Sequence, residues 1–218
     1  MTGNKYLRKL TREIAPHVDA ERGVTNELIR DLCHILCPNY FRGVFSSHEL
    51  DAVADRRRFV GSGYFSVIVN ISAQPPPADG HFVLIHARPS RLLYLDPFGA
   101  PCQDAKVMSF VKKCRGDRPF YENKRAIQSP LSTFCGMYAV LFALYYDFSH
   151  PPVARIEWIR SSDPFVLLKN DRICIKYLKL FINFMNMDRV HVRTKLRRIR
   201  RCFDDDDDDD GDGGDKKE

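Results

Sequence analysis

The stretch TFCGMYAVLFALYYDF (133–148) constrains the fold more than any other segment, because at helical spacing it is apolar nearly all round. Such a helix is expected at the centre of a domain, with other elements packed around it. Its longest apolar run, Met137 to Tyr146, has ten residues, against the roughly 20 needed to cross a bilayer, so no membrane partner is expected. Elsewhere, TNELIRDLCHILC (25–37) places Leu28, Leu32, Ile35 and Leu36 on one helical face, with Thr25 or Asn26 as cap. FSVIVNI (65–71), HFVLIHA (81–87) and RLLYL (91–95) read as apolar strands, the last two joined through Pro89 and Ser90. AKVMSFVKK (105–113) has the spacing of a short helix, and RICIKYLKLFINFMN (172–186) is amphipathic through Ile173, Tyr177, Leu180, Phe181 and Phe184. The expectation is an α+β domain, its central apolar helix packed on a small mixed sheet with flanking helices.

Charge divides the chain unevenly. Residues 204–218 carry ten acids and two lysines, so of the 34 basic and 28 acidic side chains in the whole chain, 32 and 18 fall in residues 1–203, a net charge of +14 for that part. The basic excess favours a polyanion partner, most simply DNA, since neutralised phosphates release counterions. Arg193, Lys195, Arg197, Arg198, Arg200 and Arg201 are the expected phosphate contacts, with Arg56 to Arg58 as a second cluster; a merely solvated basic tail is the plain alternative. Residues 188–203 are expected to form a basic C-terminal segment and 204–218 a disordered acidic tail, too charged to collapse. Seven cysteines form no regular framework and the start shows no secretory pattern, which points to a reducing compartment and a protein that is not secreted.

The chemistry concentrates in two segments. If Ala87 to Ser90 form a four-residue hairpin loop, Arg91 pairs with His86 and Asp96 stands opposite His81, where a carboxylate accepts a hydrogen bond from the imidazole and fixes its tautomer. In IQSPLSTFCGMYAVLFAL, Ser132 or Thr133 caps the apolar helix and leaves Cys135 in its first turn. Unpaired backbone N–H groups and the helix dipole there stabilise a thiolate, helped by a nearby His81 imidazolium. The Cys135 N–H and the Gln128 side-chain amide are candidate donors to an oxyanion, and Gly136 leaves room for a substrate backbone. Cys33, His34 and Cys37 lack a second ligand pair at zinc spacing, so no metal site is expected.

The order His81, Asp96, Gln128, Cys135, with LDPFG after the histidine strand and Q-S-P-x-S-x-x-C-G opening an apolar helix, resembles the adenovirus endopeptidase (adenain) family of cysteine proteases, related to SUMO-deconjugating enzymes. The likeness runs from about residue 25 to about residue 186. It implies a protease domain over residues 1–187, a triad of His81, Asp96 and Cys135, and Gln128 in the oxyanion hole. It further implies a monomeric enzyme of the virion and host nucleus that needs no cofactor for its chemistry. Such an enzyme cuts glycine-containing viral capsid and core precursors during virion maturation, and is activated by DNA and by a viral peptide.

Two departures bear on these expectations. Where many members carry tryptophan after the histidine, this chain has Phe82. The stretch from Asp117 to Ile127, which matches the site of a disulfide-linked activator, contains no cysteine, and Cys114 is offset; this argues against covalent activation and leaves strand addition open. Three functional classes therefore stand side by side: a virion-maturation protease, a ubiquitin-like or SUMO deconjugase, and a catalytically inactive nucleic-acid-binding protein with this fold.

Overall fold

Five short runs become the strands of one sheet, in the order β1 (Phe41–Ser46), β2 (Phe65–Ile71), β3 (His81–Arg88), β4 (Arg91–Leu95) and β5 (Phe120–Glu122). The outer pairs β1/β2 and β4/β5 are parallel and the inner pairs antiparallel, so the sheet is mixed, as expected. The computed structural model describes residues 25–37, 39–54, 59, 63–71, 80–147 and 158–186. Segments 188–203 and 204–218, with all six proposed phosphate contacts from Arg193 to Arg201, and Arg56 to Arg58 lie outside the described residues.

Helices cover both faces of the sheet, which is why its central strands read as near-continuous apolar runs. On one face lie α1 (Asn26–Leu36), α4 (Cys135–Asp147) and α5 (Pro164–Asn186); their core joins Ile29, Leu32, Leu36, Tyr138 and Leu144 to Ile68, Phe82 and Leu84. On the other face lie α2 (Leu50–Ala54) and α3 (Ala105–Arg115), with Phe59 and Phe110 packed on Val67, Val69, Val83, Ile85 and Tyr94. Each fully buried Leu, Ile or Phe in these layers contributes about 1.5–3 kcal/mol. Cys33 and Cys37 are core residues of the first layer, and Cys114 is buried in the second.

Thr25 caps α1, its Oγ1 accepting the Leu28 N–H at 3.3 Å. The last helix departs from expectation: it starts at Pro164 rather than at Arg172. Asp163 precedes it and accepts the Phe165 N–H at 2.9 Å, while Pro164 at the first helical position needs no acceptor for a missing N–H. Asn170 and Asp171, both buried, interrupt the apolar period that the sequence offers there.

The hairpin differs as well. Arg88 pairs with Arg91 across the two-residue turn Pro89–Ser90, His86 faces Leu93 rather than Arg91, and Leu84 faces Leu95. The register is therefore moved by two residues from the one expected. A shift of two keeps every side chain on its face, whereas a shift of one would have inverted them. Asp96 consequently reaches His81 as a diagonal neighbour, not as a directly opposed one.

Candidate active site

His81 begins β3, and its Nε2 lies 2.8 Å from Asp96 Oδ1 at the end of β4. Asp96 is almost fully buried and held from several sides. Its Oδ1 also accepts the Phe98 N–H at 2.7 Å, and its carbonyl accepts the Gly99 N–H at 2.8 Å, which folds DPFG into a turn. Asn123, just after β5, clamps the Asp96 main chain: Oδ1 accepts the Asp96 N–H at 2.7 Å and Nδ2 donates to the Asp96 carbonyl at 2.6 Å. The turn brings the Phe98 ring onto the His81 ring, stacked at 4.6 Å between centroids and 18° between planes. The imidazole is thus fixed by a carboxylate at its edge and an aromatic ring on its face.

The turn requires Gly99. Its φ of +66° is left-handed, and a Cβ there would come within 2.3 Å of the Arg125 carbonyl carbon, part of main chain rather than a side chain able to move. Gly99→Ala is expected to destabilise the protein by about 1–3 kcal/mol through strain and displaced backbone, read as a lower urea midpoint; an unchanged midpoint would contradict this tight packing.

Cys135 is the first residue of α4, and the expected cap is moved by a residue or two. The Phe134 carbonyl accepts the first intrahelical bond, from the Tyr138 N–H at 3.0 Å, while the Ser132 hydroxyl accepts the Phe134 N–H at 3.2 Å. As first helical residue, Cys135 carries an N–H without an intrahelical acceptor, which is the orientation the oxyanion argument needs. The Cys135 Sγ lies 3.9 Å from the Gly80 carbonyl, immediately before His81.

Burial by itself pushes the His81 imidazole toward neutrality. The hydrogen bond to Asp96, followed by the interaction with Cys135, more than offsets it and raises the pKa from 6.5 to about 9. Nε2 is committed to Asp96, so Nδ1 is the nitrogen left for the thiol; it is buried and meets no partner in full hydrogen-bonding geometry. Two other buried side-chain atoms among the described residues also lack partners, Asn70 Oδ1 and Gln128 Oε1. Asn70 packs so closely on Gly80 that a Cβ on that glycine would sit 1.6 Å from Oδ1. Buried orphans are uncommon in folded proteins, and two of these three belong to, or press on, the Gly80–His81 pair beside the thiol.

Gln128 is fully buried, and its Nε2 donates to the Ser132 carbonyl at 2.9 Å, with Ser132 Oγ at 3.4 Å. It therefore stands at the entry to α4, braced through the same serine that receives the Phe134 N–H. Both Nε2 contacts end on Ser132, the one to the hydroxyl being the longer, and Oε1 is the atom left without a partner. Of the four residues singled out from the sequence, the fold sets Asp96 against the His81 imidazole, the Cys135 thiol beside the Gly80–His81 pair, and Gln128 beside the start of the same helix.

No family model and no curated protein matches the sequence. Among solved structures, the chain is similar to the SUMO protease Ulp1 with its catalytic cysteine oxidised to a sulfinic acid, at 12% identity over 76% of this chain and 82% of that one, with a TM-score of 0.47. It is similar also to the C-terminal Ulp1 protease domain in complex with Smt3, the yeast ortholog of SUMO, at 12% identity over 74% and 79%, with a TM-score of 0.45. AvrA, solved with IP6 and CoA, is similar at 16% identity over 66% of this chain and 60% of that one, with a TM-score of 0.41. The likeness is one of fold, and the chemistry rests on the side chains just described.

Several residues of the site carry no clear mark in the sequence. Asn123 sits in the polar run YENKR, where an asparagine ordinarily signals a turn, and nothing local shows that it holds a strand end far earlier in the chain. Phe98 is visible within DPFG, but only the two-residue hairpin register places its ring over His81.

Proposed function

We propose that the chain is a cysteine endopeptidase. The observation that carries this is the half-buried Asp96–His81 contact, with the second imidazole nitrogen free for a cysteine at the start of a helix. In this mechanism the Cys135 thiolate attacks a peptide carbonyl carbon, forming a C–S bond and an oxyanion. The Cys135 N–H stabilises that oxyanion, joined by the Gln128 amide once it exchanges its long contact with Ser132 Oγ for the oxyanion. His81 Nδ1 gives its proton to the departing amine as the C–N bond breaks. It then takes a proton from water, which attacks the thioester and releases the acid and the thiolate. Asp96 keeps the ring oriented and stabilises its charged form throughout.

Glycine-containing viral capsid and core precursors are the proposed substrates, on the resemblance set out above. The protease domain is assigned to residues 1–187, and DNA is proposed as an activating partner on the +14 charge of residues 1–203.

Turnover of a Gly-Gly peptide by the full chain, beside SUMO and ubiquitin conjugates and with and without double-stranded DNA, separates the readings. The expected result is peptide cleavage that rises with DNA at low salt and falls by at least about 10³-fold in Cys135→Ala. Preferential release of SUMO or ubiquitin identifies a deconjugase instead. Absence of turnover in all arms, with DNA binding retained, identifies an inactive nucleic-acid-binding protein.

A further inference from the structure

Asparagine is a poor helix former, and burying its amide costs stability unless each polar atom finds a partner. Asn170, in the second turn of α5, is fully buried, and both its amide atoms bond to main chain. Nδ2 donates to the Ile127 carbonyl at 2.7 Å and to the Ile159 carbonyl at 2.9 Å, while Oδ1 accepts the Ile159 N–H at 2.8 Å. The Ile127 carbonyl receives a second, longer contact of 3.5 Å from the Tyr138 hydroxyl, whose main bond, at 2.8 Å, goes to Asp171 beside Asn170. On its other side, the same short segment gives the Ile127 and Gln128 N–H groups to the Pro97 carbonyl at 2.9 and 3.0 Å. The main chain leading into Gln128 is therefore clamped between α5 and the residue that follows Asp96.

We propose that Asn170 is the positioning residue for Gln128: by holding the Ile127 carbonyl from α5, it sets where the Gln128 amide stands relative to the start of α4. This rests on the cysteine-protease reading of the site. Asn170 touches no reacting atom, and its effect passes through Gln128 alone.

The test compares Asn170→Ala with the unaltered chain, singly and in a Gln128→Ala background, using Gly-Gly peptide turnover, Cys135 alkylation by iodoacetamide and hydrogen exchange of the intact chain. The expected result is a kcat lowered by roughly 10²-fold with KM little changed. The alkylation rate stays the same, and Asn170→Ala has no further effect once Gln128 is already alanine. Exchange accelerates at the amides of Ile127 and Gln128 while β3 and α4 keep their protection. An equal loss in both backgrounds, or faster exchange throughout the chain, overturns the proposal. If the unaltered chain cleaves no substrate, the protease reading falls, and exchange decides the clamp by itself: selective acceleration at 127–128 upholds it, and unchanged exchange there removes it. Asn170→Ser, which keeps a donor on a shorter side chain, serves if the alanine variant does not fold.

Discussion

Asp96→Ala is expected to lower kcat/KM for a Gly-Gly peptide by roughly 10²–10⁴-fold and to move the His81 titration down from about 9. Both effects have one cause. Two opposed influences act on this ring, burial lowering its pKa and the bonds to Asp96 and Cys135 raising it. Removing the carboxylate deletes the largest of the raising influences and leaves burial in place. The imidazolium proposed to protonate the leaving amine is then less populated, and the ring loses its hold at Nε2. With Asp96 present, the pKa is raised, so the stabilising contribution is complete below about 6.5 and disappears as pH rises through about 9. At about 1.4 kcal/mol per unit, it amounts to roughly 3 kcal/mol. The alkaline limb of the pH–rate profile is accordingly expected near 9 in the unaltered chain. A pH titration of the His81 ring by NMR, beside the kinetics, checks both parts: a variant that still titrates near 9, or that keeps activity within tenfold, would remove Asp96 from the mechanism.

What was legible in the sequence divides along a physical line. Local pattern located the three central strands and most of four of the five helices, because continuous apolar runs and 3.6-residue spacing are properties of short segments. Pattern also survived an error. The hairpin was expected with a four-residue loop and has two, yet Asp96 still meets His81, because a two-residue slip preserves the faces. The edge strands β1 and β5 were not read as strands: β5 has three residues, and β1 contains Gly43 within an irregular pairing to β2. Nor were Asn123 and Asn170 found. Each is a single polar residue whose partners are main-chain atoms brought near only by the finished fold, so no spacing in the sequence encodes them. Cys135 was legible for the opposite reason, since its place at the head of an apolar helix is a local fact.

His86 is expected to make the fold sensitive to acid, and His86→Gln to remove much of that sensitivity. Five residues along the same strand from His81, this ring is fully buried and stacked on Tyr146 at 4.4 Å. Arg88 Nε donates to its Nε2 at 3.3 Å, so the ring proton sits on Nδ1 and is given to Ser66 Oγ at 2.8 Å; the ring is neutral. A second proton would have to sit on Nε2 facing a guanidinium. Burial, then Arg88 and Arg91, lower the pKa to about 3. The unfolded chain takes up this proton near 6.5 and the folded chain only near 3, so stability is whole above about 6.5 and falls as pH drops toward 3. The difference, at about 1.4 kcal/mol per unit, is roughly 4–5 kcal/mol, a large share of the 5–15 kcal/mol typical of a domain. Asp147 acts in the opposite sense: burial raises its pKa despite the bonds from Asn39 and Tyr40, so acid relieves rather than strains it. The informative quantity is therefore the difference between the two chains. Urea midpoints measured at pH 7.5 and 4.5 are expected to fall steeply in the unaltered chain and much less in His86→Gln, whose amide replaces the ring's polar contacts without titrating. Parallel losses in both would place the acid sensitivity elsewhere. One strand thus holds two histidines shifted in opposite directions, a carboxylate raising one and burial with two guanidinium groups lowering the other; their contributions are both whole near pH 6.5, and stability falls toward 9 through the first and toward 3 through the second.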